Sequence, residues 1–370
     1  MTTNRRGWSA GGRQRRAIAL LGLPAILALS LTACGDSDST QTAAAAGGGD
    51  GGSCQADAPV LTLAAYSNPY DAYGKLTSTF AADYKEKTDK TLIFSMSFGG
   101  STTQATNIVN GFPADVYASS LVPDVELVQN AGLITNDWQA AQDKSIVATS
   151  VVGFMVRPGS DIKDWADLVK PGVEILTPDP AQSGGAKWNI VAAYGAVMRG
   201  EVAGYDATPA GAEKYLTDLF KNVTVLDKSA NDSFKNFESG NGDVALTYEN
   251  QALAGIAAGS EDKFVIPPST VSIETPTVVV DKNAADHCVE DLANQFVKYL
   301  HTPDAQEVFQ TTGYQRPIDV AKAAKGNGSD YPPIKDLFTT DDVGGWEELA
   351  SKTVFGPDGA FTKAFKAAQG

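Results

Sequence analysis

The chain has few of the residues on which catalysis and metal binding most often depend, because its 370 residues include only two histidines and three cysteines. Both histidines, His287 and His301, come late in the chain and outside its glycine-rich turns, which leaves little from which to build a Ser–His–acid arrangement. No Cys/His cluster has the spacing of a zinc site, and no GxxxxGK[ST] phosphate loop occurs. We therefore expect a protein that is not an enzyme and that has no catalytic residues, no metal site and no cofactor.

Positive charge is also scarce. The chain has 29 Lys and Arg residues against 44 Asp and Glu residues, which gives a formal charge of −15. So acidic a protein is a poor partner for nucleic acid and for anionic lipid surfaces. After residue 33 the only arginines are Arg157, Arg199 and Arg316. Their positions in the sequence do not indicate a carboxylate–arginine clamp, the arrangement that would favour an amino-acid ligand.

The first 33 residues have the pattern of an export signal. Five arginines precede an apolar stretch at 17–31 that is too short to span a membrane, and small residues follow it. Removal of residues 1–33 would change the formal charge from −15 to −20, since they contain five arginines and no acidic residue, Lys or His. Cys34 directly follows Leu-Thr-Ala. This resembles the lipobox of bacterial lipoproteins, in which that cysteine is lipidated and becomes the mature N-terminus.

A low-complexity segment separates this signal from the body of the protein. Residues 35–53 are almost free of large apolar side chains, so residues 34–56 are interpreted as a flexible tether between lipid and body. The protein would then be exported and held by lipid alone at the outer face of the cytoplasmic membrane. Two cysteines remain, Cys54 and Cys288, and in an exported protein they indicate one disulfide.

Predicted strands and helices alternate along the body. The first strand is predicted at 58–66, and later predictions include strands at 264–266 and 277–280 and helices at 284–300 and 303–311. Alternation of this kind indicates an α/β fold with parallel sheets. The chain exceeds one typical domain in length, which favours two lobes.

The sequence Ser183-Gly184-Gly185 lies where one predicted strand ends and a predicted helix, at 190–198, begins. A helix N-terminus leaves backbone N–H groups unpaired and carries a partial positive charge. Glycines at this position let an anion approach the bare amides closely. The turn is therefore a candidate anion site, and the alternative is a serine N-cap with a tight turn.

Three further turns have the same place in the strand–helix order, at 67–69, 97–101 and 229–233. Each ends a predicted strand and precedes a predicted helix. In open α/β sheets, ligands bind at the carboxyl ends of the strands. Four helix N-termini that meet at one point would form an anion site that needs no cation.

These turns lie in segments that resemble the periplasmic sulfate-binding proteins of ABC importers, including their thiosulfate-binding relatives. The family's motifs SHGGSGxQ, TPNPxTSGGARWN and KNVxVLDSGARGS correspond here to residues 97–104, 177–189 and 221–233. Residues 243–250 and Gly344-Gly345-Trp346 extend the resemblance, which covers most of the body. It implies an α/β fold of two lobes, the type II periplasmic-binding-protein fold, with a ligand cleft between the lobes.

The resemblance also implies lobe boundaries and a ligand set. The first lobe would comprise residues 57–149 and the second lobe residues 150–270, while residues 271–370 would complete the first lobe and add the C-terminal helices. The anion would be held by neutral donors from seven residues: Ser67, Ser101, Ser183, Gly184, Gly185, Ala230 and Tyr248. Two of these depart from the family, because Ser67 lies in a turn where the family has YDPT, and Tyr248 replaces the family's donor tryptophan.

The resemblance implies sulfate or thiosulfate as the ligand. Sulfate only accepts hydrogen bonds and suits a site lined by donors, whereas phosphate keeps a proton and needs an acceptor as well. Because Tyr248 can also accept, molybdate and phosphate remain alternatives, as does a ferric ion held by Tyr66, Tyr70 and Tyr248. Lys187, beside the glycines, is interpreted as a solvated charge. The expected partner is an ABC permease that receives the anion from a monomeric protein.

Overall fold

A computed structural model describes residues 58–325 and 331–369 of the chain. These residues contain ten strands and thirteen α-helices. The strands are β1 (Val60–Tyr66), β2 (Ile93–Gly99), β3 (Val116–Ala118), β4 (Ile146–Val156), β5 (Ile175–Pro178), β6 (Val223–Asp227), β7 (Val244–Tyr248), β8 (Lys263–Val265), β9 (Ser269–Val279) and β10 (Asp336–Phe338). The helices are α1 (Tyr70–Thr88), α2 (Ser101–Val109), α3 (Val122–Asn130), α4 (Gly184–Met198), α5 (Pro209–Lys221), α6 (Ala230–Glu238), α7 (Glu249–Ala257), α8 (Asp281–Asp286), α9 (Glu290–Tyr299), α10 (Pro303–Thr311), α11 (Val320–Lys325), α12 (Gly345–Glu348) and α13 (Ala360–Gln369). The predicted signal, Cys34, the tether and Cys54 lie outside the described residues. Within those residues, no helix combines the length and apolar character needed to cross a bilayer.

The strands are hydrogen-bonded in the order β2-β1-β3-β9-β4-β7-β5-β6, with β10 on β9 and β8 on β4. Strands β1 to β3 form the sheet of a first lobe, and strands β5 to β7 form that of a second lobe, while β8 pairs with β4. The 11-residue strands β4 and β9 pass between them. Strand β9 pairs with β3 at one end and with β10 at the other, while β4 pairs with both β9 and β7. The chain therefore crosses between the lobes on two long strands.

The sheet is mixed, which corrects the prediction of parallel sheets. Within the lobes, β1 is parallel to β2 and β3, and β5 is parallel to β6 and β7. The crossing strands are antiparallel to β3, to β7 and to each other. The strand predicted at 277–280 is the end of the much longer β9. Strand–helix alternation reports only local order, so it could not reveal how β9 returns along the sheet.

Cys288 interrupts the single helix that was predicted at 284–300. Helix α8 ends at Asp286 and α9 begins at Glu290, with Cys288 between them at a φ of 58°. A right-handed helix cannot continue through a residue in this left-handed region. Cys288 is disulfide-bonded. Its pairing with Cys54 stays a prediction, because Cys54 lies outside the described residues.

Each lobe has its own apolar core. The first-lobe core includes Leu63 of β1 and Phe296 of α9, and the second-lobe core includes Trp188 of α4. Helix α13 packs on the second-lobe core, where the Phe361 ring lies 5.1 Å from the Phe220 ring of α5. The C-terminal helix therefore packs against helix α5 of the second lobe, and the lobe boundaries at 57–149, 150–270 and 271–370 stay predictions.

A buried ion pair fastens the segment after α10 to the second lobe. Arg316 Nη2 donates to Glu249 Oε1 at 2.7 Å, and both side chains are almost completely buried. Arg316 also donates to the carbonyls of Ala323 and Pro332, and its backbone N–H donates to Thr149 O on β4 at 2.9 Å. Burial raises the pKa of Glu249, and the Arg316 guanidinium opposes that rise. Arg316 thus anchors the C-terminal segment beside a crossing strand.

Replacing Arg316 with methionine should lower the free energy of unfolding by about 3–5 kcal/mol, because the change leaves the buried Glu249 charge without a partner. The half-exposed pair Arg199–Asp336 provides the matched control. Arg199→Met should cost at most about 1 kcal/mol. Urea denaturation of both variants measures the difference. Equally small losses would show that the Arg316–Glu249 pair does not anchor the segment.

Candidate functional site

Three helices begin beyond the carboxyl ends of parallel strands and direct their N-termini to one place. Helix α2 begins at Ser101 after β2, α4 at Gly184 after β5, and α6 at Ala230 after β6. A Cβ added at Gly184 would lie 3.2 Å from Ser101 Cβ. One added at Gly185 would lie 3.3 Å from Ala230 Cβ and 3.6 Å from Tyr248 Cε1. We call the six residues gathered here the cradle: Ser101, Ser183, Gly184, Gly185, Ala230 and Tyr248.

The cradle is made by both lobes. Ser101 comes from the first lobe and the other five residues from the second. The two lobes touch beside it, because Thr103 N–H of α2 donates to Gln182 O at 3.2 Å. A Cβ added at Gly100 would overlap Gln182 O and lie 3.0 Å from Lys228 O. The close approach of the lobes therefore requires a glycine at position 100.

The backbone N–H groups of the cradle are not satisfied by side-chain caps. Gly100 and Ser183 are the N-cap residues of α2 and α4, and neither helix has a side-chain capping hydrogen bond. In α6, Ser229 accepts from Asp232 N–H at 3.1 Å, which leaves the Ala230 N–H uncapped. Ser183 holds the N-cap position without capping, so the alternative of a serine-capped turn is wrong. The first-turn amides remain as donors.

The Ser101 hydroxyl is already hydrogen-bonded within the first lobe. Its Oγ lies 3.1 Å from both Tyr117 Oη and Ser119 Oγ, and it accepts from Ser120 N–H at 3.1 Å. Ser119 and Ser120 were not predicted as site residues. The only sequence signal for them was a pair of serines directly after the buried strand β3. Because the hydroxyl is held in this network, the Ser101 N–H is the more available donor.

Tyr248 ends β7 with its ring beside Gly185. It is 1% exposed, and its hydroxyl has no hydrogen-bond partner within the described residues. Burial, helped by the charges of Tyr66 and Asp124, raises the pKa of Tyr248 well above its usual range. The phenol therefore stays protonated and can donate. An unsatisfied buried hydroxyl costs about 1–3 kcal/mol, which indicates a partner that the protein itself does not supply.

Ser67 is connected to the cradle through other side chains. Its Oγ lies 3.5 Å from Asn68 Oδ1, and Asn68 Nδ2 donates to Gln251 Oε1 at 3.1 Å. Gln251 lies in α7, the helix that begins directly after Tyr248. Its Oε1 also accepts a hydrogen bond from Thr247 Oγ1 at 3.1 Å. The first turn is thereby linked to the end of β7. A direct contact between Ser67 and a ligand stays a prediction.

Lys187 is not a solvated charge, which corrects the sequence prediction. Its Nζ donates to Thr102 Oγ1 at 3.0 Å and lies 3.5 Å from Asp124 Oδ1, and Thr102 Oγ1 donates to the same carboxylate at 3.0 Å. The Asp124 side chain is 3% exposed; burial raises the pKa of the nearby Tyr117, and the Asp124 charge adds to that rise. Lys187 of the second lobe therefore compensates a buried first-lobe carboxylate. No local pattern could have paired residues so far apart in sequence.

The tyrosines proposed as ferric ligands differ in their surroundings. Tyr66 accepts from Gln315 Nε2 at 3.0 Å, and burial raises its pKa to about 12. Tyr70 is 60% exposed, and its ring meets the Phe98 ring at 4.8 Å. A ferric ion needs deprotonated tyrosines, whereas burial keeps Tyr66 and Tyr248 protonated. The described residues contain no group of three or more His, Cys, Asp or Glu placed to hold a metal ion.

Both histidines contact aspartates outside the cradle. His287 Nδ1 lies 2.6 Å from Asp115 Oδ1, and Asp115 precedes β3, whereas the cradle lies beyond the opposite ends of the strands. His301 Nδ1 lies 3.3 Å from Asp143 Oδ2. Neither histidine therefore lies beside the serines of the cradle.

Comparisons with known proteins identify the family of this chain. A family model described as bacterial extracellular solute-binding protein matches residues 61–315. A sulfate-binding protein of Synechococcus elongatus is 36% identical over 84% of this chain and 87% of that protein. A thiosulfate-binding protein of Pseudomonas aeruginosa is 31% identical over 85% of this chain and 94% of that protein.

The fold is also similar to that of a solved structure. The sulfate-binding protein SubI of Mycobacterium tuberculosis H37Rv superposes with a TM-score of 0.70 at 32% identity, covering 80% of this chain and 99% of that one. The chain has the two-lobe α/β fold of periplasmic binding proteins. It therefore belongs to the bacterial extracellular solute-binding proteins, in the group that includes the sulfate- and thiosulfate-binding proteins.

Proposed function

We propose that this protein captures sulfate or thiosulfate outside the cytoplasm and delivers it to an ABC permease. One observation carries the proposal: uncapped amides at Ser101, Gly184 and Ala230 meet beside an unpaired Tyr248 hydroxyl. The names of the relatives support the choice of ligand, since they are called sulfate- and thiosulfate-binding proteins. The set of donors matches a ligand that offers only acceptors.

Neutral donors can hold a divalent anion in this acidic protein. A hydrogen bond to a charged partner contributes about 1.5–3 kcal/mol, so about six of them can offset the loss of the anion's hydration shell. Amides at helix N-termini are fixed in place and need no reorganisation when the anion arrives. The many surface carboxylates act across solvent and are screened beyond about 10 Å. Local dipoles therefore outweigh the distant negative charge.

The surroundings of Asp124 support sulfate over phosphate. Phosphate needs an acceptor for its proton, and a free carboxylate would be the strongest one. The Asp124 carboxylate is instead occupied by Thr102 and Lys187, at 3.0 Å and 3.5 Å. The remaining groups around the cradle are amides, which only donate, and hydroxyls, so a fully ionised anion can accept a hydrogen bond from every one of them.

The anchoring of the protein is a further part of the proposal. Lipidation of Cys34 and a tether at 34–56 would hold a monomeric receptor beside its permease at the outer face of the cytoplasmic membrane, with no nucleic-acid partner and no membrane contact other than the lipid. The lipobox-like sequence before Cys34 supports this. Membrane fractionation of the wild-type protein and a Cys34→Ser variant tests the anchor, and a Cys34→Ser protein that stays membrane-bound would argue against it.

Calorimetric titration of the purified protein with sulfate, thiosulfate, phosphate and molybdate tests the ligand. We expect sulfate or thiosulfate to bind at least about a hundredfold more tightly than molybdate, a difference of about 2.7 kcal/mol. Tight binding of another oxyanion, with no heat from sulfate or thiosulfate, would contradict the proposal.

Gly184→Ala should raise the Kd for sulfate by about a hundredfold or more, since the new Cβ would overlap Ser120 Oγ and Leu121 Cδ2 at the cradle. The control is Gly195→Ala in the same helix, where the new Cβ would overlap the Phe338 ring in the second-lobe core. That variant should lower the Tm and leave the Kd of the folded protein unchanged. If both variants bound sulfate like the wild type, the anion site would have to lie elsewhere.

Lys187→Met should weaken sulfate binding by about 2 kcal/mol, or about thirtyfold in Kd, because the Asp124 charge would be left uncompensated near the anion. Lys187→Arg keeps the charge pair and serves as the control. Calorimetric titration of both variants provides the measurement. Wild-type affinity in Lys187→Met would show that the ion pair between the lobes does not contribute to binding.

A further inference from the structure

Ser120 has a buried hydroxyl whose function the predicted ligand set does not explain. The residue is 1% exposed, and its Oγ has no hydrogen-bond partner within the described residues. Both of its backbone polar groups are held, because Ser120 N–H donates to Ser101 Oγ at 3.1 Å and Ser120 O accepts from Trp188 Nε1 at 2.5 Å. One contact lies within the first lobe and the other reaches the second. The backbone of Ser120 is therefore held by both lobes.

The Ser120 hydroxyl lies directly against the cradle. A Cβ added at Gly184 would overlap Ser120 Oγ, and one added at Gly185 would lie 3.6 Å from Tyr248 Cε1. Burial raises the pKa of Tyr248, and the nearby Ser120 hydroxyl, acting as a hydrogen-bonding neighbour of the phenol, opposes that rise. By geometry this contact falls short of a full hydrogen bond, and neither hydroxyl has another partner within the described residues. Two unsatisfied hydroxyls, one from each lobe, thus lie beside the same pair of glycines.

We propose that Ser120 is a further ligand of the oxyanion and forms, with Tyr248, a hydroxyl pair that also admits an oxyanion with a protonated oxygen. Amides can only donate, whereas a hydroxyl can donate and accept. A fully ionised anion would receive a hydrogen bond from each hydroxyl. With a protonated anion, the anion O–H would donate to Ser120 Oγ, Ser120 would donate to Tyr248 Oη, and Tyr248 would donate to another anion oxygen. In both arrangements every hydroxyl proton has an acceptor, and with the protonated anion each hydroxyl oxygen also accepts one hydrogen bond.

This inference rests on the proposed anion site and concerns its selectivity. Sulfate and monohydrogen phosphate are both dianions at about pH 8, above the second ionisation of phosphate. They then differ by one proton and not by charge. A change in the ratio of their affinities therefore reports on the acceptor that the hydroxyl pair provides.

Calorimetric titration of the full-length protein with sulfate and with phosphate at about pH 8 tests the pair. The wild type should bind sulfate more tightly, with measurable binding of phosphate. Ser120→Ala should raise the Kd for sulfate about tenfold and the Kd for phosphate about a hundredfold. Tyr248→Phe should change the ratio in the same direction, because the closed set of hydrogen bonds needs both hydroxyls.

Ser272→Ala is the matched control, since Ser272 of β9 is also 1% exposed with an unpartnered hydroxyl, but pairs with Val151 in the sheet. It should leave the affinity ratio unchanged. Thermal melting without ligand checks that all variants are folded, and loss of an unsatisfied hydroxyl should not lower the Tm. An unchanged ratio in Ser120→Ala, or a wild type that binds sulfate but no phosphate, would overturn the inference. A wild type that binds neither anion would instead refute the proposed function on which it rests.

Discussion

The unpaired backbone N–H groups at three helix N-termini are the feature on which the rest of this site depends. Gly184 and Gly185 begin α4 and are buried, and a Cβ at Gly184 would overlap Ser120 and Leu121, so this close approach requires glycine at position 184. Ser183 occupies the N-cap position of α4 without capping it. The first-turn amides of α2 and α4 have no side-chain cap, and the Ala230 N–H at the start of α6 is not the one that Ser229 caps. These amides are the donors available to the proposed anion.

The charged groups near the cleft are arranged so that they do not compete with the ligand. Asp124 is buried beside the cradle, but Lys187 of the other lobe compensates its charge. Glu249, the first residue after Tyr248, is buried against Arg316. Each pair also joins parts of the chain that are distant in sequence. The same contacts that remove free charge from the site therefore hold the lobes and the C-terminal segment in place.

The features that were predicted correctly are those that depend on local sequence pattern or on a motif. Helix α10 lies at 303–311 as predicted, and the turn at 183–185 lies at a helix N-terminus. Contacts between distant segments could not be predicted in this way. Ser120 lies against Gly184 only because the segment after β3 packs there, and Lys187 pairs with Asp124 only through a contact between the lobes. The break at Cys288 was missed for a related reason, since its φ of 58° overrides a helical pattern in the sequence.

Location of a bound anion is the most direct test of this description. Selenate is a tetrahedral dianion like sulfate, and its selenium gives an anomalous diffraction signal. In a crystal of the protein grown with selenate, we expect one strong anomalous peak between the lobes, with selenate oxygens within about 3 Å of the Ser101, Gly184, Gly185 and Ala230 nitrogens. A selenate bound mainly by lysine or arginine side chains, or an anomalous peak located away from these four amides, would contradict the proposed mode of binding.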